Sequence, residues 1–351
     1  MKKIKILFYS HVIDYAGTWR SHERIILNLD KNLFDPYVFY NPNQNNNRID
    51  YLKTKLDSEK IIPFNASLKK LGSEHGYPYE ENNFGELAKS YNFDIIHFAR
   101  SGYFEWPFNQ RICPIQIETN IFGFRDNSPF LDYSVSICNT INDRRGGSDK
   151  IIYNPIPKKI ENNENLISEL KIPDNFFVFG RIGRKDNFHP IALDSIYELK
   201  KIRKDFRYII IGACDQSIKK INQLDLRDVC IILDTTSDDN FIHKFYNSLD
   251  LFLHYRSDGE CHSTAIAQAM SYGIPIISHY AGFNGQSETI KDGGFVVNNP
   301  KEYVEKINLL INNDIIYNEV SNNSYKRFED FEENKIVNEW EKVYINLYKK
   351  I

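Results

Sequence analysis

Short runs of apolar residues, most of them β-branched or aromatic, recur along this chain between stretches with helical spacing. IKILFYS (residues 4–10) is followed by the helical pattern SHERIILNLDKNL (21–33) and by FDPYVFY (34–40). FDIIHFA (93–99), PIQIET (114–119) and YSVSIC (133–138) come later. The rhythm restarts with FFVFGRIG (176–183), helical IALDSIYELKKIRKD (191–205), RYIIIGA (207–213) and VCIILD (229–234). It closes with DLFLHY (250–255), IPIIS (274–278) and GFVVN (294–298). Apolar runs without alternation are what parallel strands covered on both faces require. Two such series separated by helices predict two doubly wound α/β domains.

The stretch between the series, residues 151–175, is rich in Pro and Asn, as an interdomain connection should be. The expected organisation is a Rossmann-like domain over 1–155, a second over 156–330, and a closing helix over 331–351. In that tail Ile336, Trp340, Val343, Tyr344 and Leu347 recur at helical spacing and form one apolar stripe. Residues 41–90 are Asn- and Lys-rich and show no pattern that assigns an element.

Composition narrows the classes. A chain of 351 residues with 42% hydrophobic content holds two real cores. Its net charge of −3, with both signs interspersed, offers no field for gripping a nucleic acid. The five cysteines (Cys113, Cys138, Cys214, Cys230, Cys261) are odd in number and form no C-x-x-C pair, which fits a reducing compartment without disulfides or structural zinc. Lysines precede the first apolar run, but that run is only about four residues long before Ser10 and His11, too short for a signal peptide. No run approaches the ~18 apolar residues of a membrane span. A cytoplasmic protein is expected, with peripheral membrane contact left open.

In open parallel sheets ligands bind beyond the carboxyl ends of the strands, so the loops there are the places for chemistry. GRIGRKDNFHP follows FFVF and sets Arg181, Arg184 and Lys185 close together at a strand end, with two glycines that allow near approach of a ligand. Arginine as a fork and lysine as a point charge suit a diphosphate, although a solvated basic loop has the same composition. GECHSTAIAQAM follows DLFLHY. Here Ser263 reads as an N-cap, and the first-turn amides around His262 to Ala265 lie at the positive end of a helix dipole. Thr264 and Gln268, four apart, share a face opposite Ala265, Ile266, Ala269 and Met270. Glu260 stands just outside, placed to accept from sugar hydroxyls; Cys261 and His262 taken singly are better explained by packing than by catalysis. A third loop, YAGFNGQSETIKDGG, carries Glu288 at the start of a short helix.

GRIGRKD, YIIIGACD, DLFLHYRSDGECHSTAIAQAMSYGIPIIS, SETIKDGGFVV and NEWEKVYINLYKK resemble, in order and spacing, the glycosyl transferases group 1 (family four). The resemblance covers residues 176–300 and the closing helix. It is thinner at KILFYSHVIDYAGTWRSHERIILNL and FDIIH. It implies the GT-B fold, two facing Rossmann-like domains with a C-terminal helix crossing back to the first, and a retaining hexosyltransferase that uses a nucleotide-diphosphate sugar, UDP- or GDP-linked, without a cofactor or metal. The first domain would take a glycan or lipid-linked acceptor, the second the donor.

Matched by position, the resemblance makes Arg181 and Lys185 the diphosphate clamp, with Arg184 competing because Asp186 stands where a glycine usually follows the lysine. Glu260 matches the first glutamate of the Glu-x7-Glu motif and would face the transferred sugar, with Cys261, His262, Ser263 and Thr264 offering backbone amides. Gly17 matches the glycine loop near the diphosphate, and Thr235 and Thr236 fall where the base is held. From the residues themselves, His97 after FDII ends a strand and is a candidate for the acceptor cleft, with a buried structural histidine at least as good a reading; Arg20 is a second cleft candidate. The departure is Gln268, where the second glutamate binds ribose. An amide still bonds a diol but forfeits the charge-assisted bond.

Arg181, Lys185 and a helix N-terminus would stabilise charge developing on the β-phosphate, which is why no metal is expected. No carboxylate pair suggests the two-carboxylate scheme of glycoside hydrolysis. A silent accessory subunit draws support from Gln268, but Glu260, Arg181 and Lys185 are retained. An epimerase would need clustered acid–base groups, and an oxidoreductase a G-x-G-x-x-G after KILFYS; neither is present.

Overall fold

The computed structural model describes residues 2–351 except 11, 12, 14–16, 43–46, 65, 70–78, 101–109, 124, 126, 127, 145 and 146. The chain divides into two units, Met1–Pro155 with Glu333–Ile351, and Ile156–Glu332.

In the first unit the strands are β1 (Ile4–Ser10), β2 (Phe34–Tyr40), β3 (Ile61–Pro63), β4 (Ala66–Lys69), β5 (Tyr79–Asn82), β6 (Ile95–Arg100), β7 (Ile115–Asn120), β8 (Tyr133–Ser136) and β9 (Lys150–Ile151). Its helices are α1 (Gly17–Asn28), α2 (Asn47–Lys53), α3 (Phe84–Ser90), α4 (Asn139–Arg144) and the C-terminal helix Glu333–Tyr348. The sheet runs β3-β2-β1-β6-β7-β8-β9, parallel throughout, and β4 pairs antiparallel with β5 alone.

Both faces of this sheet are covered, as the unbroken apolar runs require. Ile6, Phe8, Ile95, Ile117 and Val135 pack with α1 and with Ile336, Trp340 and Tyr344 of the C-terminal helix. Leu7, Tyr9, Ile96 and Phe98 pack on the other side against Phe84 and Ala88 of α3. The elements between 41 and 90 run from three to seven residues. That is too short for periodicity to declare itself.

The second unit contains β10 (Phe177–Ile182), β11 (Phe206–Ile211), β12 (Cys230–Leu233), β13 (Leu251–Leu253), β14 (Gly259–Glu260), β15 (Ile276–His279), β16 (Phe283–Asn284) and β17 (Gly294–Val297). Its helices are α5 (Ile191–Ile202), α6 (Asp215–Gln223), α7 (Asp239–Asn247), α8 (Thr264–Met270), α9 (Gly285–Ile290), α10 (Pro300–Ile311) and α11 (Asp314–Phe328). The parallel sheet runs β12-β11-β10-β13-β15-β17, with β14 and β16 paired separately. Asp238, Asn299 and Asn313 cap α7, α10 and α11 with side-chain oxygens on backbone N–H groups. The Pro- and Asn-rich connection is tied to this unit: Ile156 and Leu166 are buried, and the Leu166 amide donates to Ser248 Oγ at 2.8 Å. Among the described residues no helix is long and apolar enough to cross a membrane.

His97 is not a cleft residue. It lies in the middle of β6, not at its end, paired in register with Phe8, and is 0% exposed. Its Nδ1 meets the Tyr344 hydroxyl at 2.8 Å and its Nε2 meets Thr119 Oγ1 at 2.7 Å. Its ring centroid lies 4.4 Å from those of both Trp340 and His22. The register decides this: every second residue of β6 faces the layer that holds α1 and the C-terminal helix. Burial, and then the neighbouring His22, hold His97 well below the usual histidine range, and burial alone takes His22 down to about 3.

Two outcomes follow from this packing. Trp340→Ala removes a side chain shared by the sheet and the C-terminal helix, and should cost about 3–5 kcal/mol in chemical denaturation. His22 and His97 stay neutral in the fold but titrate near 6.5 when unfolded. Their contribution is therefore complete above about pH 6.5 and is lost as pH falls below it, by up to ~1.4 kcal/mol per pH unit for each histidine. Urea unfolding at pH 7.5, 6 and 5 measures this, and a flat stability across that range would contradict it.

Candidate functional site

At the carboxyl end of β10 the chain buries a charge. Arg181 is 2% exposed, and its guanidinium carbon lies 4.0 Å from the centroid of the Tyr255 ring, which carries it from below as a cation–π partner. Nη2 donates to the Asn187 carbonyl at 3.4 Å, but Nε and Nη1 are buried without a hydrogen-bond partner. An unmade bond on a buried charged donor costs about 1–3 kcal/mol or more, so it marks a position with a use other than stability.

Glu260 sits in the two-residue strand β14, whose ladder pairs Gly259 with Phe283 and Glu260 with Asn284. Its amide donates to Gln286 Oε1 at 2.9 Å, and Gln286 Nε2 donates to the His279 carbonyl at 2.8 Å. Both carboxylate oxygens are engaged: Oε1 with His254 Nε2 at 3.3 Å, Oε2 with Arg256 Nη1 at 3.1 Å. Burial pushes this carboxyl up. The hydrogen bond and charge of His254, with the charges of Arg256 and Arg181, outweigh burial and hold it below the usual range.

Histidine tautomers follow from the partners. A carboxylate only accepts, so His254 donates from Nε2 and its Nδ1 receives the Ser278 hydroxyl at 2.8 Å. His279 donates from Nδ1 to the Tyr280 carbonyl at 2.9 Å, which leaves Nε2 to accept the Arg256 amide at 3.2 Å. Its ring stacks on His189 at 4.1 Å, and burial is the main cause of its fall to about 4.

Neighbouring loops close round these residues. A Cβ built on Gly285 would lie 1.5 Å from the Cys261 carbonyl oxygen, so the start of α9 presses directly on the backbone after Glu260. Gly212, at φ +76, lets the turn after β11 meet Gly183 and Thr235, which brings the loops after β10 and β12 together.

The remaining expected residues differ in kind. Lys185 and Arg184 have side chains 60% and 61% exposed and pair with Asp234 at 3.6 Å and Asp186 at 3.4 Å. Such surface pairs contribute ~0–1 kcal/mol and release easily. Ser263 caps α8, accepting from the Ile266 amide at 3.4 Å, and Thr264 opens that helix. The His262 ring is buried edge-on against Phe331 at 4.8 Å and taken by burial to about 3, so a ligand would meet its backbone and not its imidazole. Cys261 is buried and in no disulfide, and Gln268 is half-buried on α8. Thr236 Oγ1 accepts from the Asp238 amide at 3.1 Å, while Thr235 is exposed beside it. Gly17 and Arg20 belong to the first unit: Gly17 begins α1, and Arg20, half-buried, follows in its first turn.

Arg256, His254, Gln286, His189 and His279 were missed from sequence. The available signal was their place: each lies within a few residues of a carboxyl strand end in this unit.

Residues 162–327 match the family model described as Glycosyl transferases group 1. Over 152 residues the chain is 30% identical to an uncharacterized glycosyltransferase of Haemophilus influenzae, a match covering 40% of this chain and 41% of that protein. The chain thus spans well under half the length of this curated relative. Among solved structures, a glycosyltransferase from Rickettsia africae superposes with a TM-score of 0.76 at 16% identity, covering 100% of both chains. Anabaena HepE in complex with UDP and glucose gives 0.72 at 15% identity, over 97% of this chain and 99% of that one. Sucrose-phosphate synthase from Thermosynechococcus elongatus gives 0.72 at 13% identity over 100% of both. At these identities the likeness is one of fold, and with two parallel-sheet α/β units the fold is GT-B.

The contact at Gly285 is directly testable. Gly285→Ala forces a methyl group into backbone and should cost about 3 kcal/mol or more. Gly282→Ala, whose Cβ would meet only the Asp258 carbonyl at 3.6 Å, should cost under about 1 kcal/mol in the same thermal melt.

Proposed function

We propose that this protein is a nucleotide-sugar-dependent hexosyltransferase that works with retention of configuration and without a metal. The observation that carries the reading is the buried Arg181 guanidinium, two of whose N–H groups have no partner, within electrostatic reach of the buried, ionised Glu260. A cation left short of acceptors beside a sugar-facing carboxylate suits the diphosphate and the hexose of one donor. The match to glycosyl transferases group 1 over 162–327 supports the same assignment.

In this reading Arg181 and Lys185 receive the diphosphate, Lys185 by leaving its exposed pair with Asp234, and Arg184 stands by. Glu260 faces the hexose, with the amides of residues 261–264 around it. Thr235 and Thr236 border the base, and Gln268 bonds the ribose. HepE binds UDP and glucose, which makes a UDP-sugar the first donor to try and a GDP-sugar the second. The acceptor, a glycan or lipid-linked hydroxyl, belongs to the first unit.

During transfer the bond from the anomeric carbon to the β-phosphate oxygen breaks and the bond from the acceptor oxygen forms. Negative charge grows on the departing phosphate, where Arg181 stabilises it more than in the ground state. The acceptor's proton goes to the leaving diphosphate, whose oxygens gain negative charge as the old bond breaks.

A thermal-shift screen with UDP-, GDP-, ADP-, TDP- and CMP-sugars in EDTA tests the donor site. One nucleotide should raise the melting temperature; no rise at millimolar ligand would instead favour a silent accessory subunit in which Gln268 marks a lost ribose site. Glu260→Ala and Arg181→Ala should each lower kcat/KM by about 100-fold or more. Arg181→Met, which keeps the stem and removes an unsatisfied buried charge, should abolish the nucleotide shift without lowering the melting temperature of the free protein.

A further inference from the structure

The donor site, if the proposed function holds, needs a second cation, and the resemblance assigns that place to Lys185. Its side chain is 60% exposed and paired to Asp234, whose own side chain is 98% exposed. Arg256 is placed differently. Its amide is fixed on His279 Nε2 at 3.2 Å, and its Nη1 holds Glu260 Oε2 at 3.1 Å. Its Nε is buried and has no partner, although 22% of the side chain still reaches the surface. Arg256 also directly follows Tyr255, the ring that carries the Arg181 guanidinium.

Three unpartnered buried donors therefore gather at the ends of β10 and β13: Nε and Nη1 of Arg181, and Nε of Arg256. Both guanidiniums act electrostatically on the same carboxylate, Glu260. Two permanently charged guanidiniums face this one carboxylate, which leaves positive charge uncompensated. Neutral hydroxyls would satisfy the donors but not that charge. An anion with several acceptor oxygens satisfies both, and paired planar forks favour a diphosphate over a single carboxylate.

We infer that Arg256 is the second diphosphate-binding cation of this site, and that Glu260 and the diphosphate compete for its guanidinium. Arg256 therefore holds Glu260 when the donor is absent and turns toward phosphate oxygens when it arrives. Lys185 acts at the rim.

The test is calorimetric titration of inorganic pyrophosphate, in EDTA, into the full chain and four variants. The wild type should bind. Arg256→Gln should weaken binding by about ten-fold or more, the loss of one charge-assisted hydrogen bond, and Lys185→Gln by less than about three-fold. Arg256→Lys, which keeps the charge but not the fork, should fall between the wild type and Arg256→Gln and guards against a folding defect. Glu260→Gln should bind pyrophosphate more tightly than the wild type, and that gain should vanish when Arg256→Gln is added to it.

A structural role for Arg256 would not produce a gain in Glu260→Gln that depends on Arg256. The inference is overturned if the wild type does not bind, if Arg256→Gln binds like the wild type, or if Lys185→Gln is the more damaging change. A nucleotide shift equal in wild type and Arg256→Gln would sink this inference and leave the transferase reading standing. Arg256-dependent pyrophosphate binding with no response to any nucleotide would do the reverse.

Discussion

A guanidinium buried with two donors unsatisfied is a constraint that the second unit is arranged around. Arg181 is the penultimate residue of β10, where the chain leaves the sheet, and its Nε and Nη1 have no hydrogen-bond partner. Tyr255 supplies a π face, the loop to Asn187 supplies one carbonyl, and Glu260 supplies the opposite charge at a distance. That carboxylate is in turn immobilised from three sides: His254, Arg256 and, through its backbone, Gln286. The cost in stability falls where a ligand's negative charge would offset it, which is the usual signature of a site held ready in advance.

The histidines show how the same residue type serves two ends. In the first unit His22 and His97 are enclosed with Trp340 and Tyr344, and their neutrality is a condition of packing the C-terminal helix onto the sheet. In the second, His254 and His279 sit at strand ends, and each spends one ring nitrogen on a group that fixes the site: His254 on Glu260, His279 on the amide of Arg256. Burial depresses His97 and His279 alike, yet only the second stands at a strand end, against the Arg256 amide. Residue type and burial do not separate these roles; position along the strand does.

Arg256 illustrates what spacing along a chain fails to show. It lies four residues before Glu260 in a polar loop, where an arginine reads as a solvated charge. Its importance arises because β13 and β15 lie side by side, which delivers the His279 nitrogen to its backbone and leaves its Nε under cover. His189 is similar: nothing in its loop sets it apart until the stack with His279 is seen.

The apolar runs by themselves determined the two parallel sheets, because a strand buried on both faces has to be apolar at every position and a parallel neighbour has to be reached through a helix. They determined the closing helix through its stripe of Ile336, Trp340, Val343, Tyr344 and Leu347, all of which are buried. Local chemistry likewise identified Ser263 as a cap, since a cap depends on neighbours a few residues away. Only the tertiary structure decided that His97 faces inward, that Lys185 stays at the surface while Arg181 is buried, and that Arg256 joins it. Those outcomes rest on which strands lie adjacent and in what register, and such long-range pairings leave no period in the sequence for a local pattern to carry.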